Sequence, residues 1–138
     1  MIIKTRNLSK QILFNKEKLD ILSDINLEVN ESSSIAITGP SGSGKSTLLS
    51  ILAGLDLPSS GEIFLDNNPL HALSEEQRAM VRKDSVAFVF QNFELLPGLT
   101  AIENVMLPLE LKAKNKAKDV AKNFLEKVDL LDLSLIHI

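Results

Sequence analysis

Residues Gly39-Pro40-Ser41-Gly42-Ser43-Gly44-Lys45-Ser46 satisfy the pattern G-x-x-x-x-G-K-[ST] at every fixed position. The pattern works only where a strand leads in and a helix leads out, so it dictates its neighbourhood as well as itself. Ser34-Ile35-Ala36-Ile37-Thr38 reads as the short apolar strand before it. Leu48, Leu49, Ile51, Leu52 and Leu55 read as an apolar helical run after it, stopped around Gly54 and Pro58. Glycines let such a loop curl until successive amides point inward at phosphate oxygens. The helix opening near Lys45 places its positive dipole end beneath that charge. Lys45 supplies a mobile point charge for β and γ phosphates, the Ser46 hydroxyl suits Mg²⁺, and Thr47 offers a second hydroxyl to a phosphate. The competing reading is a Gly/Ser-rich turn that fits by coincidence. From background residue frequencies, that should happen in such a chain less than about once in a hundred. The expected ligands are therefore ATP and Mg²⁺.

The surrounding sequence reads as α/β. Met1 to Thr5 and Ile21 to Val29 are expected to form an antiparallel sheet at the start of the chain, with turn-forming Asn and Lys residues between them. Gly61 to Asp66 is an alternating strand with Ile63 and Leu65 on one face. Ser74-Glu75-Glu76-Gln77 fits a capping box, as does Thr100-Ala101-Ile102-Glu103, which opens a helix toward Leu107 that Pro108 interrupts. Ser85 to Phe90 is apolar on both faces, the signature of a parallel core strand covered by helices. Ala117, Val120, Ala121, Phe124, Leu125 and Val128 recur at helical spacing, so Asn115 to Val128 reads as an amphipathic helix.

Composition narrows the function classes. The net charge of -3 argues against nucleic acid as a bulk electrostatic partner. With no cysteine there is no thiolate metal site, and the two histidines, His71 and His137, read as solvated surface residues. No run approaches twenty apolar residues, and the first six residues turn polar too soon for a signal peptide. Lysines 112, 114, 116, 118, 122 and 127 could form a membrane-surface patch, but the solvated face of an amphipathic helix is the favoured reading.

At the level of motifs, the chain resembles the ATP-binding subunits of ABC transporters. GPSGSGKSTLL from Gly39 to Leu49 is similar to their phosphate loop. Ala53-Gly54-Leu55-Asp56 with Pro58-Ser59-Ser60-Gly61-Glu62 is similar to the stretch that follows it. Ala87-Phe88-Val89-Phe90-Gln91, Leu95-Leu96-Pro97 and Thr100 to Val105 resemble their Q-loop region. With Leu107-Pro108-Leu109, the form is closest to the branch serving lipoprotein release and macrolide export, and within it to the YbbA-type ATPases. The resemblance covers residues 1–132. It implies a P-loop NTPase fold with parallel core strands and the start of a helical subdomain. Gln91 is implied to act with Lys45 in catalysis and to touch Mg²⁺ alongside Ser46. The loop from Asn92 to Thr100 is implied to meet a membrane permease, and two nucleotide-binding domains to pair as a homodimer. The implied location is cytoplasmic, peripheral on the inner face of the membrane.

Two positions depart from the family. Ile12 stands where an aromatic often stacks on adenine, with Phe14 two residues on. Ser32-Ser33 replaces the usual Gly-Glu and implies a strained turn that glycine would relieve. The signature motif, Walker B strand and switch His are not found, so the fold is expected to be incomplete and this chain inactive in hydrolysis. Residues 133–138 abandon the pattern. They can be encoded by CTG TCT CTT ATA CAC ATC, which resembles a sequencing-adapter end, so they read as a non-native tail. Two other functions compete. A P-loop small-molecule kinase would need a lid with arginines after the loop, whereas Arg78 and Arg82 lie on a helix. A non-transport ABC ATPase such as a cell-division regulator stays open.

Overall fold

Asn15 and Lys16 both take left-handed backbone angles, φ 49° and 69°, and close a two-residue hairpin turn between two long strands. The computed structural model describes residues 1–138 apart from Gln91, Phe93, Ala113, Lys114 and Ile138. The strands are β1 (Ile3–Phe14) and β2 (Glu17–Val29), paired antiparallel with Ile3 opposite Val29 and Phe14 opposite Glu17. The sheet expected at the start of the chain is present, and its strands run further toward the turn than alternation alone suggests.

Residues 1–87 form one unit and residues 88–138 another. In the first, β3 (Ser60–Leu65) lies on the other side of β1, with Ile63 opposite Thr5 and Leu65 opposite Ile3. A short β4 (Asn68–Pro69) completes the order β2-β1-β3-β4. Alternation sends Ile63 and Leu65 to one face. There they pack with Leu8, Leu22 and Leu70 against α1 (Lys45–Leu52), which contributes Leu48, Ile51 and Leu52. Burying each of these aliphatic side chains contributes about 1.5–3 kcal/mol. Thr5 is polar yet buried in the sheet. Its hydroxyl donates to the Ile25 carbonyl at 2.9 Å and accepts from the Leu27 amide at 3.0 Å, so burial leaves it satisfied.

Helix α1 ends as the glycine predicts. Gly54 sits at φ 73°, its amide donates to Ile51, and the Leu55 amide reaches back to Ser50, closing a Schellman motif. A 3₁₀ turn at Leu70–Ala72 leads to α2 (Glu75–Ser85), opened by the expected capping box: Ser74 Oγ accepts from the Gln77 amide, and Gln77 accepts from Ser74. Ser32 lies at φ 58°, in the left-handed region, which is the strained turn that its replacement of glycine implies.

In the second unit, α3 (Ala101–Leu111) opens on the Thr100–Glu103 capping box. The helix carries Pro108 through to Leu111 rather than stopping at it. Helix α4 (Ala117–Lys127) packs Ala121 and Leu125 against Ile102 of α3, while Phe124 and Val128 of the expected apolar stripe are exposed. A 3₁₀ turn follows at Leu131–Leu133.

Two expected strands are not formed. Ser34–Thr38 has no ladder partner, and Ser85 is the last residue of α2, with Val86–Phe90 beyond it outside any strand. Phe88, Val89 and Phe90 are exposed rather than buried on both faces. The physical reason is that an interior parallel strand is held by hydrogen bonds along both edges and by helices on both faces. Among the described residues neither segment finds such a neighbour. The alternation itself survives locally: the rings of Phe88 and Phe90 stack with centroids 5.3 Å apart.

Candidate phosphate-binding site

The loop from Gly39 to Ser46 is positioned by α1, which begins at Lys45 and is anchored into the core through Leu48 and Ile51. A helix leaves its first-turn amides without intrahelical acceptors, and here Gly44 at the cap position offers no side chain to them. Those amides and the helix dipole therefore face the loop as a positive end. Gly44 is required twice over. Its φ is 82°, and a Cβ there would lie 2.8 Å from the Ile21 carbonyl oxygen and 3.0 Å from Leu22 Cδ2 on β2. Close approach of the loop to β2 thus depends on the absence of a side chain. Gly42, at φ 78°, faces open space.

Lys45 is half-buried and folds back over the loop. Its ammonium donates to the Gly39 carbonyl at 2.9 Å and to the Pro40 carbonyl at 2.7 Å. The Ser43 amide donates to the Pro40 carbonyl at 3.3 Å. The loop is therefore curled around the lysine head, with Ser41 and Ser43 exposed at its rim. Ser46 is exposed on the first turn of α1 and Thr47 beside it is half-buried. All nine residues read from the sequence as cofactor-binding, Gly39 to Thr47, lie on this one strand-less lead, loop and helix start. Gln91 lies outside the described residues.

The far end of α1 is also held by a cation, a feature the sequence reading passed over. Arg82 of α2 donates to the Gly54 carbonyl at 2.6 Å and to Glu75 at 2.6 Å, while buried Arg78 donates to Glu75 at 2.5 Å and to the Leu73 carbonyl at 2.7 Å. Arg82, then Arg78, hold the Glu75 carboxyl below its ordinary value. The i, i+3, i+7 spacing of Glu75, Arg78 and Arg82 puts them on one helix face; no spacing in the sequence points to the Gly54 carbonyl as the partner of Arg82. Nearby, Lys10 of β1 reaches Asp56 at 2.7 Å and the Leu57 carbonyl at 2.7 Å. Burial pushes the Asp56 carboxyl up, but Lys10 and the Leu57 amide outweigh it and hold it low.

Other residues noted in the sequence are placed as follows. Ile12 stands opposite Leu19 near the hairpin turn, both exposed, an aliphatic pair where the family often has a ring. His71 is not a free surface histidine: it is half-buried, its Nδ1 lies 3.2 Å from the Ile63 amide and 3.1 Å from the Ile63 carbonyl, and it meets Phe64 edge-on. A groove of about 300 Å³ bordered by Met1, Lys4, Arg6 and Phe64 opens on the sheet face opposite the core. Its two side-chain cations are paired, Lys4 with Glu28 and Arg6 with Glu62. No described helix is long and apolar enough to cross a membrane.

Comparison with known proteins shows the family. The sequence model of the ABC transporter family matches residues 22–137. The uncharacterized ABC transporter ATP-binding protein YbbA of Escherichia coli K12 is 47% identical over 131 residues, spanning 94% of this chain and 58% of that protein. The lipoprotein-releasing system ATP-binding protein LolD of Saccharophagus degradans is 40% identical over 131 residues, again 94% of this chain and 58% of that protein. The ATP-binding cassette MJ0796 of Methanocaldococcus jannaschii, solved as a dimer in a post-hydrolysis state with ADP and Pi, superimposes with a TM-score of 0.89. It is 36% identical, covering 99% of this chain and 61% of that one. The chain thus spans less than two thirds of the length of the proteins it matches.

Proposed function

Since the chain belongs to the ABC transporter family, in its ATP-binding branch, we propose that the intact protein is the ATP-binding subunit of a transporter. It would couple ATP binding and hydrolysis to export, or to lipid or lipoprotein extraction, by a membrane permease. The observation that carries the reading is the curled loop from Gly39 to Ser46 around the Lys45 ammonium, set on the amide end of α1. Phosphate oxygens outcompete neutral carbonyls for an ammonium, since hydrogen bonds between two charged groups are the stronger ones. An entering triphosphate would therefore draw Lys45 toward its β and γ oxygens, and the amides of Gly42 to Ser46 would take the remaining oxygens.

Mg²⁺ suits the same place. A hard cation of this kind takes oxygen ligands, few from protein and several from phosphate and water. The exposed Ser46 hydroxyl at the start of α1 is a donor of that kind. When bound, the cation would neutralise charge on the phosphates. Gln91 is proposed as a further contact to the cation or the attacking water. The dimeric MJ0796 cassette supports a homodimer of the intact protein. LolD, named as part of a lipoprotein-releasing system, supports a membrane partner. The loop Asn92–Thr100 is proposed as the meeting point, which would put the protein on the inner face of the membrane. Residues 133–138 are proposed to be a non-native tail.

Calorimetric titration of the intact protein with ATP, with and without Mg²⁺, tests the reading. Saturable, magnesium-strengthened binding that Lys45→Ala weakens is the expected result. Absence of heat in both titrations, from a folded protein, overturns it.

A further inference from the structure

Helix α1 carries the phosphate loop at its first turn and is only eight residues long. At roughly 1.5 Å per residue, its two ends stand about 12 Å apart. A helix this short moves as one body, so its first-turn amides keep their aim only while both ends are fixed. One end is fixed by Gly44, which packs against the Ile21 carbonyl and Leu22 of β2. The other is fixed by Arg82 of α2.

The turn after α1 satisfies the Ile51 and Ser50 carbonyls with the Gly54 and Leu55 amides. The Gly54 carbonyl is left over, and it accepts from Arg82 Nη1 at 2.6 Å. Arg82 Nη2 donates to one oxygen of Glu75 at 2.6 Å. The other Glu75 oxygen is held by Arg78, itself bonded to the Leu73 carbonyl, so the Arg82 fork is aimed from behind before it reaches α1. The main chain of Arg82 also closes its own helix, its carbonyl accepting the Val86 amide at 3.0 Å. One residue thus ends both helices. Among the described residues, Arg78 Nε is buried without a partner, a cost that an ion pair kept for stability alone would avoid.

The guanidinium does not act on a phosphate through its charge. The length of α1 exceeds the roughly 8 Å over which charges are felt at physiological ionic strength. What passes along the helix is position. We propose that Arg82 is a positioning residue for phosphate binding: by pinning the Gly54 carbonyl, it sets where the Lys45 and Ser46 amides point. Glu75 and Arg78 serve it by aiming the guanidinium. The proposal rests on the reading of the Gly39–Ser46 loop as an ATP site.

Arg82→Met keeps the aliphatic stem and removes the fork. Two measurements on the intact protein test it, and one needs no nucleotide. The amide NMR signals of Lys45 and Ser46 in the nucleotide-free protein should move in Arg82→Met. Its ATP affinity by titration calorimetry should fall about tenfold, within what a misplacement of about 1 Å can cause. Arg82→Lys offers a compact ammonium that cannot serve both acceptors as the fork does, so it should show a smaller change of both kinds. Thr5→Val is the control for general loosening. It removes the buried hydroxyl bonded to the Ile25 carbonyl and the Leu27 amide, which lowers the unfolding midpoint without removing a bond to α1. Its Lys45 and Ser46 signals and its ATP affinity should match the parent's. Parent-like signals and affinity in Arg82→Met overturn the proposal, as do equal changes in Arg82→Met and Thr5→Val. Should Arg82→Met not fold, Arg82→Lys decides, and parent-like signals there overturn it. A parent that binds no ATP sinks the ATP reading instead, and the amide signals alone then decide whether Arg82 sets the loop.

Discussion

The ammonium of Lys45 lies 2.7 Å from the carbonyl oxygen of Pro40, five residues earlier, so the residue expected to grip a phosphate grips its own loop. With the second bond to Gly39 at 2.9 Å, the lysine holds the loop in the curl that the phosphate needs. A preformed site loses less ordering entropy on binding than one assembled by the ligand. Lys45 thus has two tasks, shaping the loop and charging it, and they can be separated.

Lys45→Ala should weaken ATP binding by about 10- to 100-fold, the loss of roughly 1.5–3 kcal/mol that a hydrogen bond to a charged group contributes. Lys45→Arg keeps charge but not shape, because a planar fork cannot replace a compact ammonium over two adjacent carbonyls. It should recover only part of the affinity. Titration calorimetry on both variants of the intact protein reads the difference, and equal affinity of Lys45→Ala and the parent would remove Lys45 from the site.

Gly44 and Gly42 have nearly the same backbone angle and very different surroundings. Gly42→Ala should cost about 1–2 kcal/mol, the left-handed penalty alone. Gly44→Ala should cost more, since its Cβ would meet the Ile21 backbone oxygen at 2.8 Å, which cannot swing aside. Urea unfolding midpoints would rank them. The opposite ranking would mean that the contact between the loop and β2 is not formed in solution.

Ser32 should be improvable. At φ 58° a serine carries the left-handed penalty, and glycine does not. Ser32→Gly is expected to stabilise by about 0.5–1 kcal/mol after the extra freedom of glycine in the unfolded chain is subtracted. A lower thermal midpoint for the variant would contradict the turn seen here.

Acid should loosen the hold of α2 on α1 through Glu75. Its carboxyl is held below the ordinary glutamate value of 4.5 by Arg82 and Arg78, so the folded state favours the charged form. The stability this contributes is full above about pH 4.5 and is lost as the pH falls through the lower folded value. Glu75→Gln should therefore flatten the stability profile below pH 4.5 while lowering stability at pH 7. Denaturant titrations from pH 3 to 7 on both proteins would show it, and parallel profiles would exclude Glu75 as a contributor.

Elements whose partners are close in sequence were legible in advance. Both capping boxes, at Ser74 and Thr100, form as their four-residue spacing predicts, because donor and acceptor lie within one turn. The stop at Gly54 follows from backbone freedom that belongs to glycine, whereas the place of the turn at Asn15–Lys16, ten residues past the expected end of the first strand, did not. The Ser34–Thr38 and Ser85–Phe90 segments misled for the converse reason. Their apolar patterns describe strands buried in a parallel sheet, yet a strand exists only by its ladder, and none of the described residues provides one. His71 was misplaced because its partner, the Ile63 main chain, is brought to it by the turn between β3 and the 3₁₀ segment.

By itself, the order of residues determined the phosphate loop, the helix that follows it, the caps and the family to which they belong. Those features are local, each resting on groups a few residues apart. Only the tertiary structure decided that Gly44 must lie against Ile21, that Arg82 closes on Gly54, and that the Ser134 and Ile136 carbonyls serve the start of α3. These contacts join groups that are 23, 28, 32 and 35 positions apart (44 − 21, 82 − 54, 134 − 102 and 136 − 101), and no spacing rule spans them. They exist because backbone groups removed from water must find partners wherever packing brings them.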